Sequence, residues 1–138
     1  MVKDMSVKLM CNMFVVLMIG FCVSCSDATS PNLGDEIDLD FGQLTTLSGR
    51  DFSVKFEGVV GDSRCPTGAV CVWEGNAEIL LKATSGALEE TYSLSTTLEP
   101  KQIEHDGYLL ELISVSPYPD MDEELTEDDY SIIVSVTR

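Results

Sequence analysis

The sequence predicts an all-β protein, an antiparallel β-sandwich or small barrel of about six or seven short strands. From residue 41 onward, apolar and polar residues alternate with a period of two, which is typical of strands with one buried face. Turn-forming pairs separate these runs, and no stretch combines a 3.6-residue period with helix caps. Short strands joined by frequent turns favour two packed sheets or a closed barrel.

Five runs carry the strand prediction in chain order. Residues 52–57, 77–82 and 130–137 alternate cleanly between apolar and polar side chains. Residues 88–94 follow the same pattern, with Glu90 as the misfit on the apolar face. Residues 108–115 are apolar on both faces except at two positions, which predicts a central strand covered on both sides.

Turn signals lie between these runs. Asp106-Gly107 is a strong hairpin pair, because both residues tolerate the positive φ of a tight turn. Proline cannot donate to a strand ladder, so prolines mark loops. The remaining signals are Ser48-Gly49-Arg50, Pro66-Thr67-Gly68, Gly75-Asn76 and Ser85-Gly86, with Pro100, Pro117 and Pro119.

The N-terminus has the layout of an export signal. Lys3 and Lys8 precede an apolar run at 9–23, which is shorter than the roughly 20 residues of a transmembrane helix. Val23-Ser24-Cys25 then resembles the lipobox that signal peptidase II cuts in bacterial lipoproteins. The resemblance implies that residues 1–24 are removed and that Cys25 carries the acyl chains, palmitate among them. Ser26 follows in place of a retaining aspartate, so we expect a lipid-anchored protein of the cell envelope, at the outer membrane.

The five cysteines agree with this processing. Cleavage removes Cys11 and Cys22 and acylation uses Cys25, which leaves Cys65 and Cys71 in an oxidising compartment. We therefore expect these two to form a disulfide that braces one loop of the β domain.

The mature chain divides into an acidic tether at 25–40, expected to be flexible, and a β-rich domain at 41–138. The full chain has 24 acidic and eight basic residues, a formal net charge of −16. Nucleic acid and anionic lipid head groups are bound by Lys and Arg, so neither is expected as a partner. The expected link to the membrane is the lipid alone.

The segment 62–77 resembles one found in small, uncharacterised exported β-rich lipoproteins of the Bacteroidota type. The shared residues are Asp62-Ser63-Arg64-Cys65-Pro66, then Cys71, and then Trp73-x-Gly75-x-Ala77. The resemblance implies a fold and a location but no activity.

Two interpretations of this segment stay open. In a structural role, the disulfide locks a long connection, Trp73 caps the core and Arg64 pairs with a nearby acid. In a recognition role, the rigid loop binds a partner at little entropic cost, with Arg64, Thr67, Val70 and Trp73 as candidate binding residues. A more specific form of that role is a protease inhibitor that presents residues 67–70.

Chemistry beyond binding has little support in the sequence. A lone histidine, His105, and an expected disulfide serve neither a catalytic triad nor a zinc site, and no phosphate-binding loop is present. Within the acidic run 120–129, Asp120, Asp122 and Glu124 are the candidate ligands for weak calcium binding. We therefore expect a non-catalytic binding or structural module with no cofactor, and an envelope protein as its partner. The alternatives are a protease inhibitor and a calcium-dependent adhesion or surface-complex module.

Overall fold

A computed structural model describes residues 29–138 of the chain. The expected signal peptide 1–24, the lipidation site Cys25 and the start of the tether lie outside the described residues. Within residues 29–138, no helix has the length and hydropathy needed to cross a bilayer.

Eight strands and one short 3-10 turn, Glu127–Asp129, make up the regular structure of the described chain. The strands are β1 Glu36–Asp40, β2 Leu44–Thr46, β3 Phe52–Asp62, β4 Ala77–Ser85, β5 Leu88–Ser95, β6 Gln102–His105, β7 Tyr108–Ser116 and β8 Ser131–Thr137.

The strands form two four-stranded sheets, and every neighbouring pair is antiparallel. One sheet has the order β1-β8-β7-β6 and the other β2-β3-β4-β5. The two sheets pack as a sandwich, which confirms the predicted fold class and decides against a closed barrel.

The core consists largely of the apolar residues that alternate in the sequence. The even-numbered side chains of 52–56 and 130–136 and the odd-numbered ones of 77–83 are buried between the sheets. Phe52 of one sheet stacks on Tyr108 of the other with ring centroids 4.1 Å apart. Burial of a large side chain contributes about 1.5–3 kcal/mol, so these alternating residues supply most of the driving force for folding.

The prediction of a flexible tether at 25–40 is wrong for the C-terminal part of that segment. Residues 36–40 form β1, which pairs with β8, and both Ile37 and Leu39 are buried in the core. Ordering begins still earlier, because the carbonyl of Pro31 accepts a hydrogen bond from the amide of Ser48 (2.8 Å). Two apolar side chains are enough here because β8 provides a complete ladder of backbone partners.

The prediction that residues 108–115 are covered on both faces is also wrong. β7 has β6 and β8 as neighbours, so it is an interior strand of its sheet. Its outward face, however, is open to solvent, with Leu109 and Ile113 both exposed. The apolar outward residues reflect the composition of the strand and not a third layer.

The two ends of the sandwich differ in character. The entry end holds the chain entry at 29–35, the turns after β2, β4 and β6, and the C-terminus. The carbonyl of Asp51 accepts from the amide of Gly86, and the hydroxyl of Ser85 donates to Asp106 (2.6 Å), so these turns adjoin. The opposite end, which we name the loop end, holds the connections 63–76, 96–101 and 117–130.

Candidate functional site: the loop end

The connection between β3 and β4 is a braced loop whose two arms run side by side. The amide of Ser63 donates to the carbonyl of Asn76 (2.8 Å), and the amide of Cys65 donates to the carbonyl of Glu74 (2.9 Å). Cys65 and Cys71 are disulfide-bonded, as predicted, with their Cα atoms 5.9 Å apart. The bridge closes the tip of the loop, and the backbone bonds close its base.

Gly75 allows the two arms to approach closely. Its φ of +79° lies in the left-handed region, and a Cβ at this position would lie 2.0 Å from the carbonyl oxygen of Ser63. Every other residue type would collide with the backbone of the opposite arm. The glycine of the Trp-x-Gly-x-Ala pattern is therefore required by the backbone and is not a ligand-binding residue.

Arg64 is held in a buried ion pair. Its Nε and Nη2 atoms donate to the two carboxylate oxygens of Asp62 (2.9 and 2.5 Å), and both side chains are 7% exposed. Nη1 also donates to the carbonyl of Val115 (2.6 Å) and Nη2 to that of Pro117 (2.8 Å). The guanidinium lies 5.0 Å from the ring centre of Tyr118. Arg64 thus joins the β3 end to the β7 end, which confirms the expected pairing with a nearby acid.

The charge of Asp62 is stabilised inside this network. Burial raises the pKa of the Asp62 carboxyl, but the hydrogen bonds and the charge of Arg64 outweigh that effect, so its pKa lies below the ordinary 3.8. The hydroxyl of Tyr130 also donates to Asp62 (3.2 Å). Burial, followed by the charge of Asp62, raises the pKa of Tyr130. Asp62 is therefore ionised at neutral pH and acts as the structural partner of Arg64.

Thr67 connects the braced loop to the acidic connection. Its amide donates to the carbonyl of Pro119 (2.9 Å), and its hydroxyl donates to a carboxylate oxygen of Asp120 (2.8 Å) while lying 3.0 Å from the same Pro119 carbonyl. The amide of Asp122 and the hydroxyl of Thr67 together lower the pKa of Asp120. The two connections therefore form one continuous surface at the loop end.

The structure does not form the calcium site expected at Asp120, Asp122 and Glu124. The described chain contains no group of three or more His, Cys, Asp or Glu side chains placed to hold a metal ion. Asp120 accepts hydrogen bonds from Thr67 and from the amide of Asp122. The three carboxylates lie on an exposed loop and are not placed to hold one ion together.

Asn76 is a structural residue of this end that sequence reasoning missed. It is buried, and its carboxamide oxygen accepts from the amides of Thr97 (3.0 Å) and Leu98 (3.3 Å). Its carboxamide nitrogen reaches the hydroxyl of Ser95 at 3.4 Å. A buried asparagine with several backbone partners fixes a loop, so the corner after β5 is held against the braced loop.

The candidate binding residues divide into two groups. Arg64 and Thr67 hold the scaffold together, as described above. Val70 is fully exposed, as is Val72 beside it, and Trp73 is 52% exposed. The expectation that Trp73 caps the core is therefore wrong, and the residues that the scaffold does not use are those at the tip.

A shallow groove of about 260 Å³ lies beside the braced loop. Its lining includes Glu74 from the loop, Thr96 and Thr97 from the corner after β5, and Ile113 and Tyr118 from the β7 side. The groove is smaller than the roughly 300–1,000 Å³ typical of pockets for drug-sized ligands. It is large enough to receive a single side chain of a partner.

His105 belongs to the core. Its ring is buried against Phe52 and Tyr92, and Nδ1 lies 3.0 Å from the Tyr92 hydroxyl. Nε2 is the one buried side-chain nitrogen or oxygen in residues 29–138 without a hydrogen-bond partner. It lies in the β6–β7 hairpin at the entry end, at the opposite end of the sandwich from the groove.

Comparison of the chain with protein-family models, with curated proteins and with solved structures gave no match.

Proposed function

We propose that this chain is a lipid-anchored protein of the bacterial envelope whose non-catalytic β-sandwich presents the loop end to a protein partner. The observation that carries the proposal is the separation between two ends of the sandwich. The chain enters at one end, beside Pro31 and Ser48, and most of the large exposed apolar residues within 29–138 lie at or near the other.

The separation follows from strand lengths. β3 has 11 residues, and a strand advances about 3.3 Å per residue, so the two ends lie roughly 30–35 Å apart. Between Cys25 and Pro31 the chain can span at most about 20 Å. A lipid on Cys25 would therefore hold the entry end near the bilayer and direct the loop end away from it.

The distribution of exposed apolar side chains supports binding at the loop end. Single exposed apolar residues are ordinary on protein surfaces, whereas a contiguous group indicates an interaction site. Of the eleven large exposed hydrophobic residues within 29–138, seven lie on or beside the loops of this end, and among them only Tyr118 contacts the ion pair, through the guanidinium of Arg64. They are Val70, Val72, Trp73, Leu98, Ile113, Tyr118 and Met121.

The anchor is tested by the Cys25→Ser variant of the full chain. We expect the unmodified protein to fractionate with membranes and the variant to be released, because burial of acyl chains contributes about 0.8 kcal/mol per methylene. Intact mass gives an independent readout, with a mature chain that begins at Cys25 and carries added acyl mass. Equal membrane retention of both proteins would contradict the anchor.

The binding role is tested by cross-linking in the source cells. A photo-reactive phenylalanine replaces Trp73 at the loop end, and in a matched control it replaces Leu88, which is equally exposed at the entry end. We expect a discrete protein adduct from position 73 that is absent from position 88. Adducts of equal yield from both positions, or none from position 73, would contradict the proposal.

A second candidate function is protease inhibition, favoured by full exposure of Val70 inside a disulfide-closed loop. Thr67 is tied to Pro119 and Asp120, so the presented part begins later than residues 67–70. A small aliphatic residue at the tip suits a protease with a narrow specificity pocket, such as elastase. Stoichiometric loss of elastase activity that a Val70→Asp variant no longer causes would support this function, and cleavage without inhibition would exclude it.

A further inference from the structure

We infer that the partner of the loop end is a protein with a basic face, in which Lys and Arg side chains surround an aliphatic centre. The inference deepens the binding role proposed above and rests on it. It depends on the chemistry of the apolar patch formed by Val70, Val72, Trp73, Tyr118 and Met121, which we name the tip patch.

Tyr118 and Met121 lie beside the braced loop that carries the other three residues of the tip patch. Tyr118 lies against the guanidinium of Arg64 and lines the same groove as Glu74, the residue after Trp73. Met121 lies close to the braced loop, since its sulfur would be 3.7 Å from a Cβ placed on Gly68. The bonds from Thr67 to Pro119 and Asp120 hold the two loops in this arrangement. The loops that carry the patch are thus held in place before any partner arrives, which lowers the entropic cost of binding.

The composition of the tip patch favours a protein partner. Trp, Tyr and Met are enriched in the centres of protein interfaces, and Trp and Tyr are frequent hot spots. The neighbouring groove of about 260 Å³ matches one inserted side chain better than a separate small molecule. Its lining combines the apolar surfaces of Ile113, Val115 and Tyr118, which an aliphatic side chain can contact, with polar groups that include Glu74 and Arg64.

The negative charge around the tip patch favours a partner whose binding face is positively charged. The three connections of the loop end contain nine carboxylates besides Asp62, but their only cation besides Arg64 is Lys101. Arg64 is itself neutralised by Asp62. A one-sided field of this kind steers an oppositely charged partner and repels one of like charge. A second copy of this acidic chain is therefore disfavoured, and a basic protein face is complementary.

The molecule carries its own reporter for the test, because Trp73 is the sole tryptophan of the chain. The probe is a synthetic peptide of alternating Lys and Leu without tryptophan, titrated into the purified full-length protein. Two control peptides replace every Leu with Ser or every Lys with Glu. We expect a blue shift of the Trp73 emission with the Lys–Leu peptide alone. The affinity for this peptide should fall about tenfold when the salt concentration rises from about 0.05 to about 0.5 M.

Matched variants separate the local field from the overall charge, with affinity measured by calorimetry. The loop-end variant Asp122→Asn/Glu123→Gln/Glu124→Gln and the control Glu36→Gln/Asp38→Asn/Glu104→Gln each remove three exposed carboxylates. We expect the first to weaken the binding of the Lys–Leu peptide at least fivefold and the second to change it less than twofold. Val72→Ser and Leu88→Ser form the corresponding apolar pair, with loss expected from Val72→Ser alone.

The results distinguish this inference from the binding role on which it rests. A cross-link from position 73 without a Trp73 response to the Lys–Leu peptide would overturn the basic partner and keep the binding role. Equal affinity for the Lys–Ser peptide, or equal effects of the two charge variants, would also overturn it. A Trp73 shift with neutral oligosaccharides in place of the peptide would assign a glycan ligand and refute the inference.

Discussion

Arg64 binds the carboxylate of Asp62 through two parallel hydrogen bonds, from Nε at 2.9 Å and from Nη2 at 2.5 Å. Only one residue separates Arg64 from Asp62 in the chain. The same guanidinium reaches the carbonyl of Val115 in the other sheet and that of Pro117 just beyond the end of β7. This one side chain therefore joins the braced loop to both layers of the sandwich. A bidentate pair with further backbone acceptors is the geometry in which arginine cannot be replaced by lysine.

Removal of Arg64 should destabilise the fold strongly. Arg64→Ala leaves the Asp62 carboxylate buried without its partner, so we expect a loss of about 3–5 kcal/mol in the free energy of unfolding. The double variant Asp62→Asn/Arg64→Ala should lose less, because no uncompensated charge remains. Urea unfolding gives the free energy of unfolding of both variants. A loss below about 1 kcal/mol for Arg64→Ala would show that the pair is not stabilised in the way its geometry indicates.

The same pair predicts an acid dependence of stability. Arg64 keeps the pKa of Asp62 below 3.8 in the folded protein, so the unfolded chain binds a proton first as the pH falls. The contribution of the pair is complete above the unfolded pKa and is lost as the pH falls through the folded pKa. Between about pH 5 and pH 2, we expect the stability of the native protein to decline more steeply than that of Asp62→Asn. Parallel pH profiles from urea unfolding would contradict this assignment.

Gly75 and Gly49 provide a matched pair of glycine substitutions. Both have positive φ, +79° and +67°, but a Cβ on Gly75 would meet the Ser63 carbonyl at 2.0 Å, whereas one on Gly49 has no neighbour within 4 Å. We expect Gly49→Ala to cost about 1–2 kcal/mol from backbone strain and Gly75→Ala clearly more, since the arms of the loop must separate. Thermal unfolding of both variants measures the difference, and equal shifts would argue against the close approach of the two arms.

The disulfide should stabilise the loop end without determining the sandwich. Closure of a seven-residue ring contributes about 2.4 kcal/mol on the chain-entropy estimate. Because residues 65–71 lie outside both sheets, the variant Cys65→Ser/Cys71→Ser should keep its β-sheet circular dichroism and lose stability of that order. Its cross-linking from position 73 should also fall, since the tip is no longer held in advance. Unaltered cross-linking would mean that the bridge does not organise the tip patch.

His105 offers a substitution expected to increase stability. Its Nε2 is buried without a partner, which carries a desolvation cost of about 1–3 kcal/mol. His105→Phe removes that atom and keeps an aromatic ring beside Phe52, while the hydroxyl of Tyr92 retains Glu90 as an acceptor. We expect the free energy of unfolding to rise by about 1 kcal/mol at neutral pH. A decrease measured by urea unfolding would show that the Nδ1 bond to Tyr92 outweighs the orphaned Nε2.

The sheet core was predictable from the chain because its information is local. Alternation places Phe52, Val54 and Phe56 on one face whatever the partner strand is, and Asp106-Gly107 makes its turn from two residues. β1 was missed for the opposite reason. Ile37 and Leu39 are two apolar residues among acids, and they read as part of a tether until β8 is seen beside them. A strand with a short apolar face depends on its partner's backbone, which no local pattern reports.

At the candidate site, the sequence alone determined the chemistry that is present: two cysteines to pair, an arginine close to an aspartate, a lone tryptophan and an excess of acid. Only the tertiary structure decided how these groups are used. It buries Arg64, ties Thr67 to Asp120, spreads the expected calcium ligands over an exposed loop and leaves Val70, Val72 and Trp73 outside. It also puts the chain entry and the tip patch at opposite ends. The reason is physical, because burial and convergence depend on contacts between residues about 50 positions apart, and local spacing carries no record of those contacts.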